Sequence, residues 1–219
     1  MLRLFLGYDR REAVGFHVCV ESIIQHASQP IQIIPLAGDQ RDGTNAFTYV
    51  RFLVPYLCEY RGSAVFLDGS DMLVREDVAP LFGYVSDAAK AVSVVQHNYR
   101  TAHPLKYIGT SMEAKNNDYP RKNWSSVMVF NCGHTKNRAL HPDSVREFSG
   151  AELHQFKWLK ADDIGALPSK WNVLIGEAQD SGPCAIAHFT LGIPSFPHYA
   201  TCRYADEWRA VADSIGLES

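Results

Sequence analysis

Short apolar runs that alternate with longer amphipathic segments restrict this chain to an α/β fold more than any other feature of its sequence. Residues 2–6 are apolar apart from Arg3 and predict a strand, and residues 11–27 follow with apolar side chains at helical spacing. Residues 31–36 predict the next strand. Because a strand, a helix and a second strand in this order form the unit of a parallel sheet, the sequence predicts a mostly parallel central sheet flanked by helices.

The same alternation continues through most of the chain. Residues 97–123 are the exception, since they are polar, rich in Asn, Lys and Tyr, and without a regular period. A loop of this length in a compact domain is either functional or disordered. Further strands are predicted at residues 63–67, 91–95, 127–131 and 184–187, helical segments at residues 47–60 (with a break at Pro55), 75–83 and 203–215, and a polar loop at residues 38–46.

The composition is that of an ordinary globular protein and argues against several kinds of partner. The chain of 219 residues is 46% hydrophobic, enough for a buried core, and its net charge of −3 gives no general attraction to nucleic acid. The five cysteines are odd in number and form no Cys-x-x-Cys pair, which favours reduced thiols and a cytoplasmic location. The apolar run at residues 2–6 is too short for a signal peptide, and no run approaches the ~18 residues of a membrane span. A soluble protein is expected, with peripheral contact to a membrane left open.

The most informative motif is Asp68-Gly69-Ser70-Asp71, which follows directly after the apolar run at residues 63–67. Carboxylate oxygens are preferred ligands of Mg²⁺ and Mn²⁺, and a metal held there would bind a diphosphate and neutralise it. Because Asp, Gly and Ser are also common turn residues, a solvated turn or a helix cap is the alternative interpretation.

Two more groups of polar residues follow predicted strands. His188 comes after the run 184–187, and Gly7, Tyr8 and Asp9 follow the first strand. Ligands of open parallel sheets bind at the carboxyl ends of the strands, so these groups and the two aspartates meet at one edge if the three strands are parallel. An Asp/Asp/His set suits Mn²⁺. The alternatives are an ordinary hydrogen-bonded histidine and, for Asp9, a helix N-cap.

Side chains that suit phosphate and sugar occur in two further segments. Arg51 lies in a predicted helix and would bind phosphate or orient a carboxylate, although a solvated helix face is the alternative. Residues 119–126 combine cations with Trp124, Ser125 and Ser126, which suit a sugar ring and its hydroxyls. Trp124 is equally suited to the core.

Taken in order, these motifs resemble the retaining glycosyltransferase family that includes glycogenin and bacterial lipooligosaccharide galactosyltransferases. The segments that carry the resemblance are AFTYVRFLVPYL, AVFLDGSDMLV, SSVMVFN, LPSKWN and AHFTLGIP, and it covers most of residues 2–195. It implies a glycosyltransferase A-type, Rossmann-like fold, an Asp-x-Asp motif and a late histidine that bind Mn²⁺ (or Mg²⁺), and a nucleotide-sugar donor, usually UDP-linked. We expect one domain over residues 1–219, with a nucleotide-binding part at about 1–95, a donor-sugar and acceptor part at about 96–200, and a C-terminal helix at about 203–215.

The resemblance also implies roles for individual residues. Asp71 matches the direct metal ligand, Asp68 matches the aspartate that faces ribose and metal, and His188 matches the late metal ligand. Further implied contacts are those of Gly7, Tyr8 and Asp9 with the base, of Arg51 and Gly192 with the nucleotide, of Ser125 and Ser126 with the donor sugar, and of Asp162 or Asp163 with the reacting carbon.

The chain departs from the family pattern at two points. Its Asp-Gly-Ser-Asp motif is one residue longer than Asp-x-Asp, so either the turn bulges to bring both carboxylates to the metal or only one reaches it. The segment GIPSF at residues 192–196 lacks the lysine by which the family meets the diphosphate. Arg51, Arg121 and Lys122 are the candidates to replace it.

The sequence therefore predicts a metal-dependent glycosyltransferase that moves a sugar from a nucleotide-sugar donor to a carbohydrate, glycolipid or protein acceptor. The resemblance implies a UDP-linked donor and retention of configuration. A catalytically degenerate protein that binds the nucleotide sugar without transferring it is the alternative, motivated by the two departures. A sugar nucleotidyltransferase is a third interpretation, against which the chain has no glycine-rich phosphate loop.

Overall fold

The computed structural model describes residues 1–38, 41, 45–85, 87–177 and 180–217. The predicted polar loop at residues 38–46 lies largely outside the described residues. The strands are β1 (Leu2–Gly7), β2 (Ile31–Leu36), β3 (Ser63–Leu67), β4 (Met72–Val74), β5 (Val92–Val94), β6 (Leu105–Lys106), β7 (Ala114–Lys115), β8 (Val127–Asn131), β9 (Ile164–Ala166), β10 (Val173–Leu174) and β11 (Ile186–His188).

Helices and 3-10 turns connect these strands. The α-helices are α1 (Ala13–His26), α2 (Val54–Leu57), α3 (Pro142–Glu147), α4 (Gly150–His154) and α5 (Ala205–Ser214). The 3-10 turns are Arg10–Glu12, Val50–Leu53, Ala79–Val85, Trp124–Ser126, Thr135–Ala139, Ala161–Asp163, Ser169–Trp171 and Pro197–Tyr199. None of the helices in the described ranges has the length and apolar character that crossing a membrane requires.

A central sheet contains the strands in the order β2-β1-β3-β8-β5-β9. Strand β1 is parallel to β2 and β3, and β5 is parallel to β9, whereas β8 runs antiparallel between β3 and β5. The predicted α/β fold with a mostly parallel sheet and flanking helices is confirmed. Because β8 is antiparallel to both of its neighbours, β1, β3, β5 and β9 all end at the same edge of the sheet.

Both faces of this sheet are covered by apolar clusters, as its strand sequences require. In β3, Ala64 and Phe66 belong to the cluster on one face, and Val65 and Leu67 belong to the cluster on the other. Alternate side chains of a strand point to opposite faces, so a strand buried on both sides is apolar at every position. This explains why a continuous apolar run predicted β3 correctly.

A second, smaller sheet consists of β10, β11 and β4. Strand β11 is parallel to β10 and antiparallel to β4, and this register pairs His188 with Met72. The condition under which the sequence brought His188 to the same edge as the two aspartates, that its strand is parallel to β1 and β3, is therefore not met. The cause is β4, which branches from the central sheet directly after the aspartate motif. Its Val74 N–H donates to the Ser22 hydroxyl of α1 at 3.0 Å, which holds the small sheet against that helix.

Two segments differ from their predicted form in ways that matter for the site. Helix 47–60 is divided, because a 3-10 turn at Val50–Leu53 precedes α2. Pro55 lies in the first turn of α2, where a missing N–H loses no helical bond. The polar segment 97–123 contains the antiparallel hairpin β6–β7, which pairs Leu105 with Lys115.

Candidate functional site

A cavity of about 350 Å³ opens at the edge of the central sheet where β1 and β3 end. Ligands of open α/β sheets bind at this edge, so its position agrees with the expectation from the sequence. The cavity is lined by Arg11, Asn45, Thr48, Arg51, Asp68, Asp71, Lys106, Tyr107, Met112, Ala114, Tyr119, Asn123, Ser125, Ser126, His154, His188 and Thr190.

Asp68, Asp71 and His188 converge on one point of the cavity wall. One ligand atom of each lies within 4.8 Å of the others. His188 Nε2 is 3.2 Å from the nearer Asp71 oxygen and 3.8 Å from the nearer Asp68 oxygen. The other carboxylate oxygen of Asp71 is buried and has no hydrogen-bond partner among the residues that the structure describes. Two carboxylates and an imidazole, one of them with an unused buried oxygen, form a donor set that fits Mn²⁺ or Mg²⁺.

A tight turn between the two aspartates brings both carboxylates to this point despite the extra residue. Gly69 adopts a left-handed conformation (φ 74°), and a Cβ atom there would lie 2.6 Å from the Gly7 carbonyl oxygen. The Ser70 hydroxyl donates to that same carbonyl oxygen at 3.2 Å and accepts from the Asp9 N–H at 3.3 Å. The residues between the aspartates therefore attach the turn to the end of β1, and only glycine fits the first of them.

Asn172 fixes the orientation of the His188 ring. The Asn172 amide nitrogen donates to the Asn123 carbonyl oxygen at 3.1 Å, so its oxygen faces His188 Nδ1 at 2.9 Å. Nδ1 is then the donor, and Nε2 is directed at the aspartates. An outer hydrogen bond of this kind is the usual way in which a protein sets the tautomer of a metal-binding histidine.

The three groups influence one another because they are buried together. Burial raises the pKa of Asp68, although the guanidinium of Arg51 opposes this. Burial also works against the charge of Asp71, but His188 and, more weakly, Lys106 outweigh it and lower the pKa of Asp71. In return, Asp71 overcomes the effect of burial and raises the pKa of His188. Of the three groups, Asp71 is therefore the one whose negative charge the surroundings favour, and a cation bound there would replace the charge that His188 supplies.

Arg51 orients a carboxylate, which is one of the two roles that the sequence left open. Its guanidinium forms a buried ion pair with Asp68. The same group donates to the backbone carbonyl oxygens of Ser125 and Thr48, at 3.1 and 3.2 Å. Arg51 lines the cavity, but its charge is already matched by Asp68.

Ser125 and Ser126 lie in the cavity wall, and His154, a residue that the sequence did not indicate, lies beside them. The Ser126 carbonyl oxygen accepts from the Asp68 N–H at 2.9 Å. Ser125 Oγ is 2.6 Å from His154 Nδ1 at the end of α4. Burial and the nearby charges of Arg51 and Lys106 lower the pKa of His154 to about 3, so this ring is neutral at physiological pH.

The residues at the end of β1 support the cavity from behind. Gly7 has no space for a side chain, since a Cβ atom would lie 2.4 Å from the Phe47 ring. Asp9 caps the turn that follows it by accepting from the Arg11 N–H at 3.0 Å, and it forms an ion pair with the Arg11 side chain at 2.7 Å. The helix-cap interpretation of Asp9 is therefore correct. Tyr8 packs edge-on against Phe16, so Arg11 is the residue of this segment that lines the cavity.

Asp162, Asp163 and Gly192 are not brought to this cavity. Asp163 immediately precedes β9, at the edge of the central sheet opposite the cavity, where it forms an ion pair with Lys136 at 2.6 Å. Asp162 lies in the same 3-10 turn. These two carboxylates therefore do not contribute to the site. Gly192 lies next to Tyr199, whose ring would be 2.3 Å from an added Cβ atom, and lines a separate cavity.

The hairpin β6–β7 contributes residues that the sequence located only as a functional loop. Lys106, Tyr107, Met112 and Ala114 line the cavity, and the Tyr107 N–H donates to the Leu191 carbonyl oxygen at 2.7 Å. This bond attaches the hairpin to the loop after β11. The length and polarity of the segment were the available signal, but neither identifies which side chains face inward.

Comparison with known proteins shows one relative by sequence and several by fold. No known family model matches the chain. Protein CDI from Arabidopsis thaliana is 37% identical to it, over 94% of this chain and 84% of the plant protein.

Several solved structures with a similar fold are glycosyltransferases. The galactosyltransferase LgtC, crystallised with donor and acceptor sugar analogs, has a TM-score of 0.61 at 13% identity, covering 100% of this chain and 98% of LgtC. GlyE from Streptococcus pneumoniae has a TM-score of 0.64 at 14% identity, covering 96% of this chain and 60% of GlyE. The bifunctional glycosyltransferase WbbM has a TM-score of 0.54 at 16% identity, and this chain spans about half of it (51%). These likenesses show that the chain has the glycosyltransferase A-type fold.

Proposed function

Because the chain belongs to the family of Protein CDI from Arabidopsis thaliana and has the glycosyltransferase A-type fold, we propose that it is a metal-dependent glycosyltransferase with a nucleotide-sugar donor. The observation that carries the proposal is the convergence of Asp68, Asp71 and His188 in the wall of a cavity at the ligand-binding edge of the sheet. The fold is one that known glycosyltransferases have, and the triad offers the ligands for the metal ion.

The metal and its ligands follow from the donor set. Asp71 and His188 would hold the ion, and Asp68, which Arg51 fixes, would be the third ligand of the set. Mn²⁺ suits a mixed oxygen and imidazole set, and Mg²⁺ is the other candidate. When bound, such an ion binds the diphosphate and neutralises the charge that develops on it as it leaves.

The transfer itself breaks one bond and forms another. The bond between the sugar C1 and the β-phosphate oxygen breaks, and its electron pair leaves with the nucleoside diphosphate. The acceptor hydroxyl oxygen bonds to C1, and its proton is released. We propose that the nucleoside lies toward the end of β1, where Asp9 holds Arg11, and that the sugar lies against Ser125, Ser126 and the neutral His154.

Several finer assignments belong to the same proposal. By resemblance, the donor is UDP-linked, the reaction retains configuration, and the acceptor is a carbohydrate, a glycolipid or a protein. LgtC has been crystallised with donor and acceptor sugar analogs, which supports a site for two sugars. The division into a nucleotide-binding part (about 1–95) and a sugar-binding part (about 96–200) is proposed on the same basis. All five cysteines are free, which supports a cytoplasmic location.

Ligand-dependent stabilisation is the first test. Thermal unfolding is measured with UDP, GDP, ADP, CDP and TDP, each with Mn²⁺ and with EDTA. A nucleotide at about 100 times its dissociation constant stabilises the folded state by about 2.7 kcal/mol, which is readily detected. We expect one nucleotide to stabilise the protein, and more strongly with Mn²⁺. Absence of any shift would mean that the aspartate motif is only a turn, and the proposed function would be wrong.

Variants at the triad separate catalysis from binding. Asp71→Asn keeps the shape of the side chain but removes its charge, so it should abolish the Mn²⁺-dependent shift and the release of nucleoside diphosphate from the donor. Asp206→Asn is the matched control, since the Asp206 side chain is fully exposed on α5. If the wild-type protein binds the donor but neither hydrolyses nor transfers it, the chain is instead a degenerate nucleotide-sugar-binding protein.

A further inference from the structure

Three basic side chains line the cavity, and two of them are matched by carboxylates. Arg51 forms its buried ion pair with Asp68. Arg11 donates to Asp9 through two nitrogens, at 2.9 and 2.7 Å. Lys106 has no ion pair and no side-chain hydrogen bond to any residue in the described part of the chain, and its nearest specific contact is the Tyr107 ring at 5.0 Å. A diphosphate in this cavity would therefore find one unmatched cation.

The other cations proposed from the sequence are directed elsewhere. The Lys122 ammonium is buried and donates to the Asn116 side-chain oxygen at 2.7 Å. Arg121 donates to the Gln155 carbonyl oxygen. Neither residue lines the cavity. Of the three candidates that the sequence offered to replace the missing lysine, only Arg51 thus lines the cavity, and its charge is already paired.

The backbone around Lys106 directs this side chain into the cavity. Successive residues of a strand point to opposite sides, and in β6 they line different cavities, Leu105 the separate one beside Tyr199 and Lys106 the one that contains the triad. The Tyr107 N–H donates to the Leu191 carbonyl oxygen three residues after His188. The ammonium group is therefore held on a hairpin that is attached to the same loop as the metal-binding histidine.

Charge and placement together indicate what Lys106 binds. Because Arg51 already matches Asp68, a divalent ion would balance Asp71 and one negative charge of the diphosphate, and the second diphosphate charge is left for a further cation. A lysine beside the metal is a common partner for such phosphate oxygens. Resting on the proposed function, we infer that Lys106 binds the diphosphate of the nucleotide-sugar donor, so that the hairpin β6–β7 supplies the positive charge that the segment 192–196 lacks.

Binding of a nucleoside diphosphate and of its phosphate-free nucleoside distinguishes this role. The probe is whichever of UDP, GDP, ADP, CDP or TDP binds the wild-type protein most tightly with Mn²⁺, measured by isothermal titration calorimetry. Lys106→Met should weaken binding of this nucleotide about tenfold or more, the effect of losing one hydrogen bond to a charged group. Binding of the matching nucleoside should not change, because it has no phosphate.

Two variants serve as controls. Lys106→Arg keeps the charge and should retain most of the affinity. Lys115→Met removes the same charge from the same hairpin, but Lys115 is exposed and does not line the cavity, so binding should equal that of the wild type. The thermal unfolding midpoint of each variant is measured as well, to check that the variant is folded.

The possible outcomes separate this inference from the proposed function. If the wild type binds a nucleoside diphosphate and Lys106→Met binds it equally well, the role of Lys106 is wrong but the proposed function stands. Equal weakening of nucleoside and diphosphate, or equal weakening in Lys115→Met, would also overturn it, since the effect would not come from a phosphate contact. If no nucleotide binds the wild type, both the inference and the proposed function fail.

Discussion

Replacing Arg51 by Met should destabilise the protein strongly, because it breaks a buried ion pair from one side. The Arg51 side chain is 6% exposed, and that of its partner Asp68 is 12% exposed. The guanidinium also donates to the carbonyl oxygens of Ser125 and Thr48. Met replaces much of the aliphatic stem but leaves the Asp68 carboxylate without its charged partner and both carbonyl groups without a donor.

The expected size of the effect follows from this burial. Removing one partner of a buried ion pair costs about 3–5 kcal/mol of unfolding free energy, since the remaining charge is uncompensated. The free energy of unfolding of a native protein is about 5–15 kcal/mol, so this loss is a large share of the total stability. The double variant Arg51→Met with Asp68→Asn removes both charges. We expect it to be more stable than Arg51→Met alone.

Urea unfolding followed by tryptophan fluorescence measures these differences. The experiment is done in EDTA, because a bound metal would compensate Asp68 and hide part of the effect. Arg146→Met is the control, since the Arg146 side chain is 76% exposed and its loss should change stability by less than about 0.5 kcal/mol. A cost below about 1 kcal/mol for Arg51→Met, the range of surface ion pairs, would refute the reasoning. A double variant less stable than the single one would refute it as well.

Three further changes test other parts of the site. Asn172→Ala removes the acceptor for His188 Nδ1 and should weaken Mn²⁺ binding about 10–100-fold in isothermal titration calorimetry. An unchanged Mn²⁺ affinity would show that Asn172 does not orient His188. Asp9→Asn tests a pH dependence: burial opposes the charge of Asp9, but hydrogen bonds from Arg11 and Ala46 lower its pKa to about 2. A carboxyl group with a lowered pKa stabilises the folded state above its unfolded pKa of about 4, here by roughly 2 kcal/mol. This stabilisation is lost as the pH falls from about 4 towards 2. The urea midpoints of wild type and variant should therefore differ at pH 7 and converge between about pH 4 and pH 2. Asp163→Asn should leave transfer activity unchanged, because Asp163 lies at the edge opposite the cavity, and a large loss would return it to a catalytic role.

The sequence predicted the parts of the fold that depend on local periodicity. Residues 4–6 of β1 and 64–67 of β3 are buried on both faces and are therefore continuously apolar, which allowed the ends of both strands to be predicted. Since polar residues at the ends of parallel strands meet at one edge, the amino-acid pattern alone was enough to assign Asp68 and Asp71 to the ligand-binding edge. His188 was assigned to the same place for a partly wrong reason, because its strand belongs to the small sheet.

Short strands explain both errors, the wrong sheet for the strand that ends at His188 and the wrong edge for Asp162 and Asp163. Strand β4 has three residues and β10 has two, too few to show a period of two. Strand β9 also has three residues and was not recognised. Without β9, nothing in the sequence shows that Asp162 and Asp163 precede a strand rather than follow one. Residues before a parallel strand lie at the opposite edge from those after it, so one unrecognised strand moves both carboxylates across the sheet.

Other residues of the cavity depend on long-range packing that no local pattern encodes. His154 reaches Ser125 because α4 packs against the region around Phe52, whose ring contacts the histidine edge-on at 5.4 Å. Lys106 faces the cavity because a two-residue strand has a particular register. Neither residue has neighbours in sequence that distinguish it from an ordinary surface histidine or lysine.

The pairing of β11 with β4 also determines when the triad of Asp68, Asp71 and His188 forms during synthesis of the chain. His188 and Asp71 are 117 positions apart, and translation at about 5–20 residues per second separates their appearance by on the order of ten seconds. During that interval β4 lacks its β11 neighbour, and Asp71 lacks the imidazole that favours its charge. A nascent chain that has folded only its first strands therefore has no complete cation site, and it acquires one only when β11 pairs with β4.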